Sequence, residues 1–279
     1  MSYAPQNLRA TFAAHPFSEA NILRRLQHRR GTLDNLTAFD LAADRATELT
    51  DQNHVGGAAF VDQLARAAGA APGCRVLDLG CGLGGASRLL AARHGCRVHG
   101  IDLSPKRCRE ARSLNRRVGL TDQIDIQCAD YLSTPLPADS YQLLWGQGAW
   151  LHPADKDDFV RRWASCLAPD GRLACEHACL ARPPRTHAES SQLGELATLW
   201  NAFFITCRQW VDHFAQAGLR LLQAVDLTPS FIRYYGKLHH LAQTHLAAHV
   251  PLAEQRSWDR ARGCAQQGLI VYVRLVAGR

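Results

Sequence analysis

The stretch Val76-Leu77-Asp78-Leu79-Gly80-Cys81-Gly82-Leu83-Gly84-Gly85 decides how this chain folds. Apolar residues around one acid read as a buried strand, and the glycine-rich turn that follows opens a helix. Glycine has no Cβ, so the backbone can take positive φ and a ligand can approach main-chain N–H groups directly. The turn is therefore read as the seat of a nucleotide-like ligand. The spacing Gly80-x-Gly82-x-x-Gly85 also satisfies a dinucleotide fingerprint, and Asp102, 22 residues after Gly80, stands near where that fingerprint wants a ribose-binding acid. Asp78 separates the readings. A carboxylate two residues before the first glycine repels a pyrophosphate but suits a ligand carrying an ammonium and a sulfonium.

Working outward, strand-like runs at 75–79, 97–101, 123–129, 141–146 and 171–177 alternate with helix-like runs at 84–93, 105–118 and 154–167. This alternation is that of an α/β doubly wound, Rossmann-like parallel sheet. Beyond residue 181 the reading is helical over 182–206 and 208–217, then a strand at 219–226, an aromatic-bearing helix from 230 to about 249 and a last strand at 268–276. Before the sheet, Ser18 caps a helix over 18–30 with Leu23 and Leu26 on one side and Gly31 as its stop. A second helix, about 56–70, ends in a Gly/Ala/Pro linker, so 1–70 is read as an N-terminal helical cap and 71–279 as the main domain.

A chain of 279 residues that is 47% hydrophobic and 20% charged is globular in composition, and at this length it buries roughly three quarters of its unfolded surface. No apolar run reaches the ~20 residues of a membrane span. The first thirty residues lack signal-peptide order, so a cytoplasmic location is expected. The ten cysteines are single, without a CxxC pair; they read as reduced, mostly buried small hydrophobes, with no metal site expected. The net charge of +7 admits nucleic acid, a membrane surface or an anionic substrate. Lys106, Arg107, Arg109, Arg112, Arg116 and Arg117 stand against Glu110 in the 105–118 helix, so five of the seven net charges lie there. Such a run reads as a solvated face away from the ligand.

VLDLGCGLGG at 76–85, VHGIDLS at 98–104, CADY at 128–131 and LAPDGRL at 167–173 together resemble, in order, the motifs of class I S-adenosylmethionine-dependent methyltransferases. The resemblance covers about residues 54–178. It implies a seven-stranded sheet with an antiparallel last strand and S-adenosylmethionine as cofactor. By position it assigns Asp78 and the turn Gly80, Cys81, Gly82 and Gly84 to the methionine part. Asp102 falls to the ribose, Leu103 to the adenine ring, Asp130 with Tyr131 to the adenine edge, and Trp145 with Gln147 to the reactive methyl. Asn53-His54-Val55-Gly56-Gly57 resembles a stretch that small-molecule members place before the cofactor, with His54 as a positioning residue. The segment 226–240, DLTPSFIRYYGKLHH, resembles a substrate-covering insertion, and helices at about 182–206 and 230–263 are expected to cover the acceptor. The likeness falls in the sarcosine/dimethylglycine, tocopherol and prenyl-diphosphate methyltransferase neighbourhood. One departure is Gln147-Gly148-Ala149 where sarcosine-type relatives tend to carry Gln-Asp-Ala, which puts a glycine-like substrate in doubt.

Methyl transfer from a sulfonium needs alignment of acceptor and methyl and exclusion of water, with a base optional. His152, His177 and Glu176 follow strands at the carboxyl end of the sheet and are the candidate catalytic groups together with Gln147. Trp150, Trp200, Phe204, Tyr234 and Tyr235 are candidates for the acceptor wall, able to hold a cation on their faces or simply to pack. The expected reaction is transfer to nitrogen or carbon of a small molecule of secondary metabolism. O-methylation with His152 or His177 as base stands beside it, as does a non-catalytic cofactor-binding module. Nucleic acid is disfavoured as a partner, because neither an (Asn/Asp)-Pro-Pro-(Tyr/Phe) run nor a Pro-Cys nucleophile is present; membrane binding is not expected and an oligomer is open.

Overall fold

The structure, a computed structural model, describes residues 16–43, 50–244 and 250–279. Helix α1 (Glu19–Arg30) begins at Ser18, whose hydroxyl accepts from Asn21 N, and stops at Gly31 in the left-handed region. Its buried stripe is Ile22 and Leu26, an i, i+4 pair, rather than Leu23 and Leu26. A short α2 (Ala38–Ala42) carries a Thr37/Asp40 capping box, and α3 (Gly57–Ala68) buries Phe60, Val61, Leu64 and Ala65.

The sheet is built from β1 (Arg75–Leu79), β2 (Arg97–Asp102), β3 (Ile124–Cys128), β4 (Tyr141–Gln147), β5 (Leu167–Leu180), β6 (Arg220–Asp226) and β7 (Ile270–Gly278). Their order is β3-β2-β1-β4-β5-β7-β6, with β7 antiparallel to both neighbours and the other pairings parallel. Helices α4 (Gly85–His94), α5 (Pro105–Arg117), α6 (Lys156–Ala164), α7 (His187–Trp200) and α8 (Cys207–Gln216) lie between strands, and α9 (Thr228–Thr244) and α10 (Leu252–Gln266) separate β6 from β7. Residues 245–249, the end of the helix expected from 230, lie outside the described residues. Strand order reverses between β1 and β4, which opens a crevice at their carboxyl ends.

Alternation along the strands divides the core. Val76, Leu143 and Trp145 join α3 and α4 on one face, while Leu77, Leu144 and Phe159 join Trp163, Trp210 and Phe214 on the other. The largest departure from the expected elements is at β5. It starts at Leu167, not 171, and α6 ends three residues earlier than expected, because a register shift between Tyr141 and Leu143 lets Pro169 and Gly171 ride in the strand as a bulge. Seven of the ten cysteines are buried. Among the described residues no helix is long and apolar enough to cross a membrane.

One buried ion pair ties the segment before α3 to the sheet. Arg88 of α4, fully buried, donates to Asp51 Oδ2 at 3.0 and 2.9 Å, to Asn115 Oδ1 at 2.8 Å and to Leu83 O at 2.6 Å. Gly85 permits the approach, since a Cβ there would strike the carbonyl of Asp51. Removing one member of such a pair strands the other charge, so Arg88→Met should lower the unfolding free energy by about 3–5 kcal/mol. Urea denaturation measures it, and a loss below ~1 kcal/mol would show that Asp51 finds another partner or water.

Candidate functional site

The carboxyl ends of β1, β2 and β4 surround a cavity with two lobes. The smaller lies under the glycine turn, lined by Asp78, Gly80, Cys81, Gly82 and Trp145 together with Asp51 and His54. The larger holds about 1370 Å³ of space, its open mouth included, and is floored by Gly80, Asp102, Leu103, Asp130 and Tyr131. Asn53, His54, Gly80, Arg107 and Gln147 line both lobes.

Gly80, Gly82 and Gly84 all take positive φ, at 84°, 56° and 74°. The turn is fastened to the second strand: Gly80 N and Cys81 N donate to Ile101 O, and Gly82 N donates to Asp102 Oδ2 at 2.9 Å. Asp102 Oδ1 accepts from Ser104 N at 2.8 Å, so this carboxylate organises two loops where they face the cavity. Asp78 is buried, and its Oδ2 accepts from Ser87 Oγ at 2.6 Å. Burial pushes its pKa up to about 7, against the hydrogen bond from Ser87. Asp130 accepts from Leu132 N, and Tyr131 donates to Ala149 O across the cavity floor.

His152 lines the larger lobe. Its Nδ1 lies 3.1 Å from Asn201 O. A carbonyl only accepts, so the neutral ring carries its proton on Nδ1 and keeps Nε2 as the acceptor. Burial holds its pKa down to about 4, with Lys156 and Arg107 adding charge repulsion. Lys156 fixes the loop that carries His152 by donating to the carbonyls of Trp150, Leu151 and Pro153 at 3.0, 2.9 and 2.5 Å. His54 is held within its own segment, with Nε2 3.0 Å from Gln52 Oε1 and Nδ1 3.2 Å from Val55 O, and burial lowers its pKa to about 4.

Several expected residues stand elsewhere. His177 is fully buried away from the cavity, with its ring against Trp210 at 4.4 Å, and burial lowers its pKa to about 3. Successive side chains of β5 point to opposite faces, which carries His177 away from the site. Glu176 does not line the cavity either; it is committed to Arg274 Nε at 2.7 Å and to Gln147 Nε2 at 2.9 Å. Trp150 packs edge-on to Phe159 and fills the space that a Cβ on Gly146 would occupy, so it belongs to the core. Phe204 lies behind Trp200 at 6.3 Å without lining the cavity, and Gly84 serves as the N-cap of α4 rather than as a wall. Trp200, Tyr234 and Tyr235 do line the larger lobe, together with Phe231.

The structure also brings in Arg107, read from the sequence as part of a solvated basic face. Five of the six basic residues of α5 are exposed, but Arg107 is 6% exposed, faces Asp102 and Glu254 and lines both lobes. Its place in the first turn of the helix after β2 was the available signal, because that turn begins at the carboxyl edge of the sheet. Glu254, which accepts from Trp258 Nε1 at 2.9 Å, comes from a helix no motif marks.

Residues 76–171 match a family model described as a methyltransferase domain. A probable chloroplastic tocopherol O-methyltransferase of Oryza sativa subsp. japonica is 32% identical over 47% of this chain and 36% of its own length. Methyltransferase GfsG of Streptomyces halstedii is 34% identical over 62% of each chain. The chain thus spans less than two thirds of the length of these relatives. The crystal structure of geranyl diphosphate C-methyltransferase from Streptomyces coelicolor A3(2), with Mg2+, geranyl-S-thiolodiphosphate and S-adenosyl-L-homocysteine, superposes at a TM-score of 0.73. It covers 99% of this chain and 97% of that one at 19% identity, a likeness of fold. Residues 76–171 are thus similar to a methyltransferase domain, and the ordered motifs and the sheet topology agree with the fold of the class I S-adenosylmethionine-dependent methyltransferases.

Proposed function

We propose that this protein transfers a methyl group from S-adenosylmethionine to a small, largely apolar acceptor bound beneath α7, α9 and α10, with residues 1–70 as a helical cap. The observation that carries this is that the glycine-turn lobe shares Asn53, His54, Gly80, Arg107 and Gln147 as lining with a lobe walled by Trp200, Phe231, Tyr234 and Tyr235. The residues present suit the cofactor: a buried, raised-pKa carboxylate at Asp78 for an ammonium, Asp102 for ribose hydroxyls, and Leu103, Asp130 and Tyr131 for adenine. Bound S-adenosylmethionine would supply an electrophilic methyl carbon; the chain orients the acceptor and keeps water out. A cytoplasmic setting in secondary metabolism goes with this reading.

His152 lines this lobe and could serve as base for an acceptor that loses a proton, so a hydroxyl stands beside the nitrogen or carbon expected from the motifs. In this reading His152 would accept the hydroxyl proton, while bound S-adenosylmethionine would supply the methyl carbon and a neutral thioether as leaving group. Incubation with methyl-labelled S-adenosylmethionine and a metabolite extract tests the activity: a labelled small product is expected, and cofactor binding without product over many extracts would favour the non-catalytic module. Once a hydroxyl acceptor is in hand, His152→Ala should reduce turnover by ~10²–10⁴-fold, the scale of general base catalysis, with cofactor affinity kept. Full turnover in this variant would remove His152 from the chemistry.

Asp102→Ala should weaken cofactor binding by ~1.5–3 kcal/mol, as for hydrogen bonds to a charged group; titration calorimetry checks this, and unchanged affinity would refute the ribose assignment. Asp78 gives a pH test. Its pKa of about 7 is lowered by a neighbouring ammonium, so binding near neutral pH releases a proton. Affinity for S-adenosylmethionine should fall as pH drops below about 7, by up to about tenfold per unit. The slope should vanish in Asp78→Asn, and a slope that survives there belongs to another group.

A further inference from the structure

Lys156 begins α6 and is buried behind the loop that carries His152. Its Nζ donates to the carbonyls of Trp150, Leu151 and Pro153. A neutral amine has two N–H groups and an ammonium three, so three carbonyl acceptors hold the charged form, against burial, which pulls its pKa down to about 7. Among the described residues no acid pairs with it. Asp155, next in the chain, is exposed and accepts from Asp158 N. The other neighbours of Nζ are the ring of Trp210 at 5.4 Å and, from β5, His177 and Cys179, which burial keeps uncharged. A buried charge without a counter-ion acts on what lies beyond the loop. The charges that press on His152 are cations, Lys156 first and Arg107 after it. Of the acids lining the larger lobe, Asp102 and Glu254 stand against Arg107, and Asp130 lies on the floor. The wall that runs from His152 through Trp200 to Phe231 carries none.

We propose that the acceptor is an acidic hydroxyl on a flat conjugated frame, a phenol or an enol, held as its oxyanion, and that Lys156 is the charge that selects this form. The O–H bond breaks, the oxygen keeps the electron pair and the proton goes to solvent. His152, on the same wall, can relay that proton, and the cation behind it keeps the ring from retaining it. A protonated amine meets like charge there, and an aliphatic alcohol, which does not ionise, gains little. The rings of Trp200, Phe231 and Tyr235 suit the flat frame. The inference rests on the reading of this lobe as the acceptor site.

The test uses 4-nitrophenol, whose phenolate absorbs visible light and whose pKa is near neutral, with S-adenosylhomocysteine bound so that no sulfonium contributes. Absorbance titration gives the acidity of the bound probe, read below about pH 7, where Lys156 is charged. In the wild type, binding should favour phenolate over phenol by about three- to tenfold relative to the free probe, the order of one partly screened charge. Lys156→Met should abolish this preference; if that variant does not fold, Lys156→Gln takes its place. A probe no more acidic on the wild type than in solution would overturn the proposal by itself. So would a preference that survives in the variant, whether affinity is kept or falls equally for both forms, which leaves Lys156 a structural residue. Failure of the wild type to bind S-adenosylhomocysteine, or to take up the probe in either form, would instead overturn the cofactor and acceptor readings beneath the proposal.

Discussion

The contact of Arg88 with Asp51, two guanidinium N–H groups on one carboxylate oxygen, is the constraint on which the site depends. A guanidinium with no exposure cannot remain unpaired, so Asp51 must stay at α4 and the chain on either side must follow it. Residues 52–55 are thereby laid along the glycine turn, which brings Asn53 and His54 to both lobes. The same guanidinium reaches Leu83 O in the turn and Asn115 in α5. One ion pair therefore holds together the turn, the helix after it and the segment that closes its edge.

Other buried charges work by the same logic at greater distance. Among the described residues Lys156 has no acid beside it and is satisfied by three carbonyls, which fixes the loop bearing His152. Glu176 and Arg274 satisfy each other and orient Gln147. Desolvation lowers the pKa of His152 and raises that of Asp78, so one is kept as a neutral acceptor while the other awaits a cation. Groups that titrate near or below neutral pH thus surround a cavity otherwise walled by aromatic rings. In such a setting charge complementarity is strengthened by the lack of competing water.

Much of the architecture was legible in the chain. β1 was readable to the residue, because Arg75–Leu79 is a short apolar run stopped by glycines, and α5 was readable from Ser104 and Pro105 at its start. The end of α6 and the start of β5 were not, since a bulge is decided by pairing with β4 and leaves no local signal at Leu167. Gly80, Asp102, Asp130 and Gln147 reached the cavity as their strand ends required. Phe204 and Trp150 did not, because aromatic residues near a site serve packing as readily as binding.

The sequence by itself determined the order of strands and helices, the glycine turn and the acids at the ends of β1, β2 and β3, since local spacing and backbone freedom are written residue by residue. Only the tertiary structure decided which titratable groups face the cavity. His152 follows β4 and His177 lies near the carboxyl end of β5, both toward the same edge of the sheet, yet one lines the site and the other is stacked on Trp210. Arg107 differs from its five basic neighbours by one position on a helix face. These choices depend on which face of an element is covered and by what, and covering segments such as α9, α10 and β7 lie far along the chain from the residues they cover.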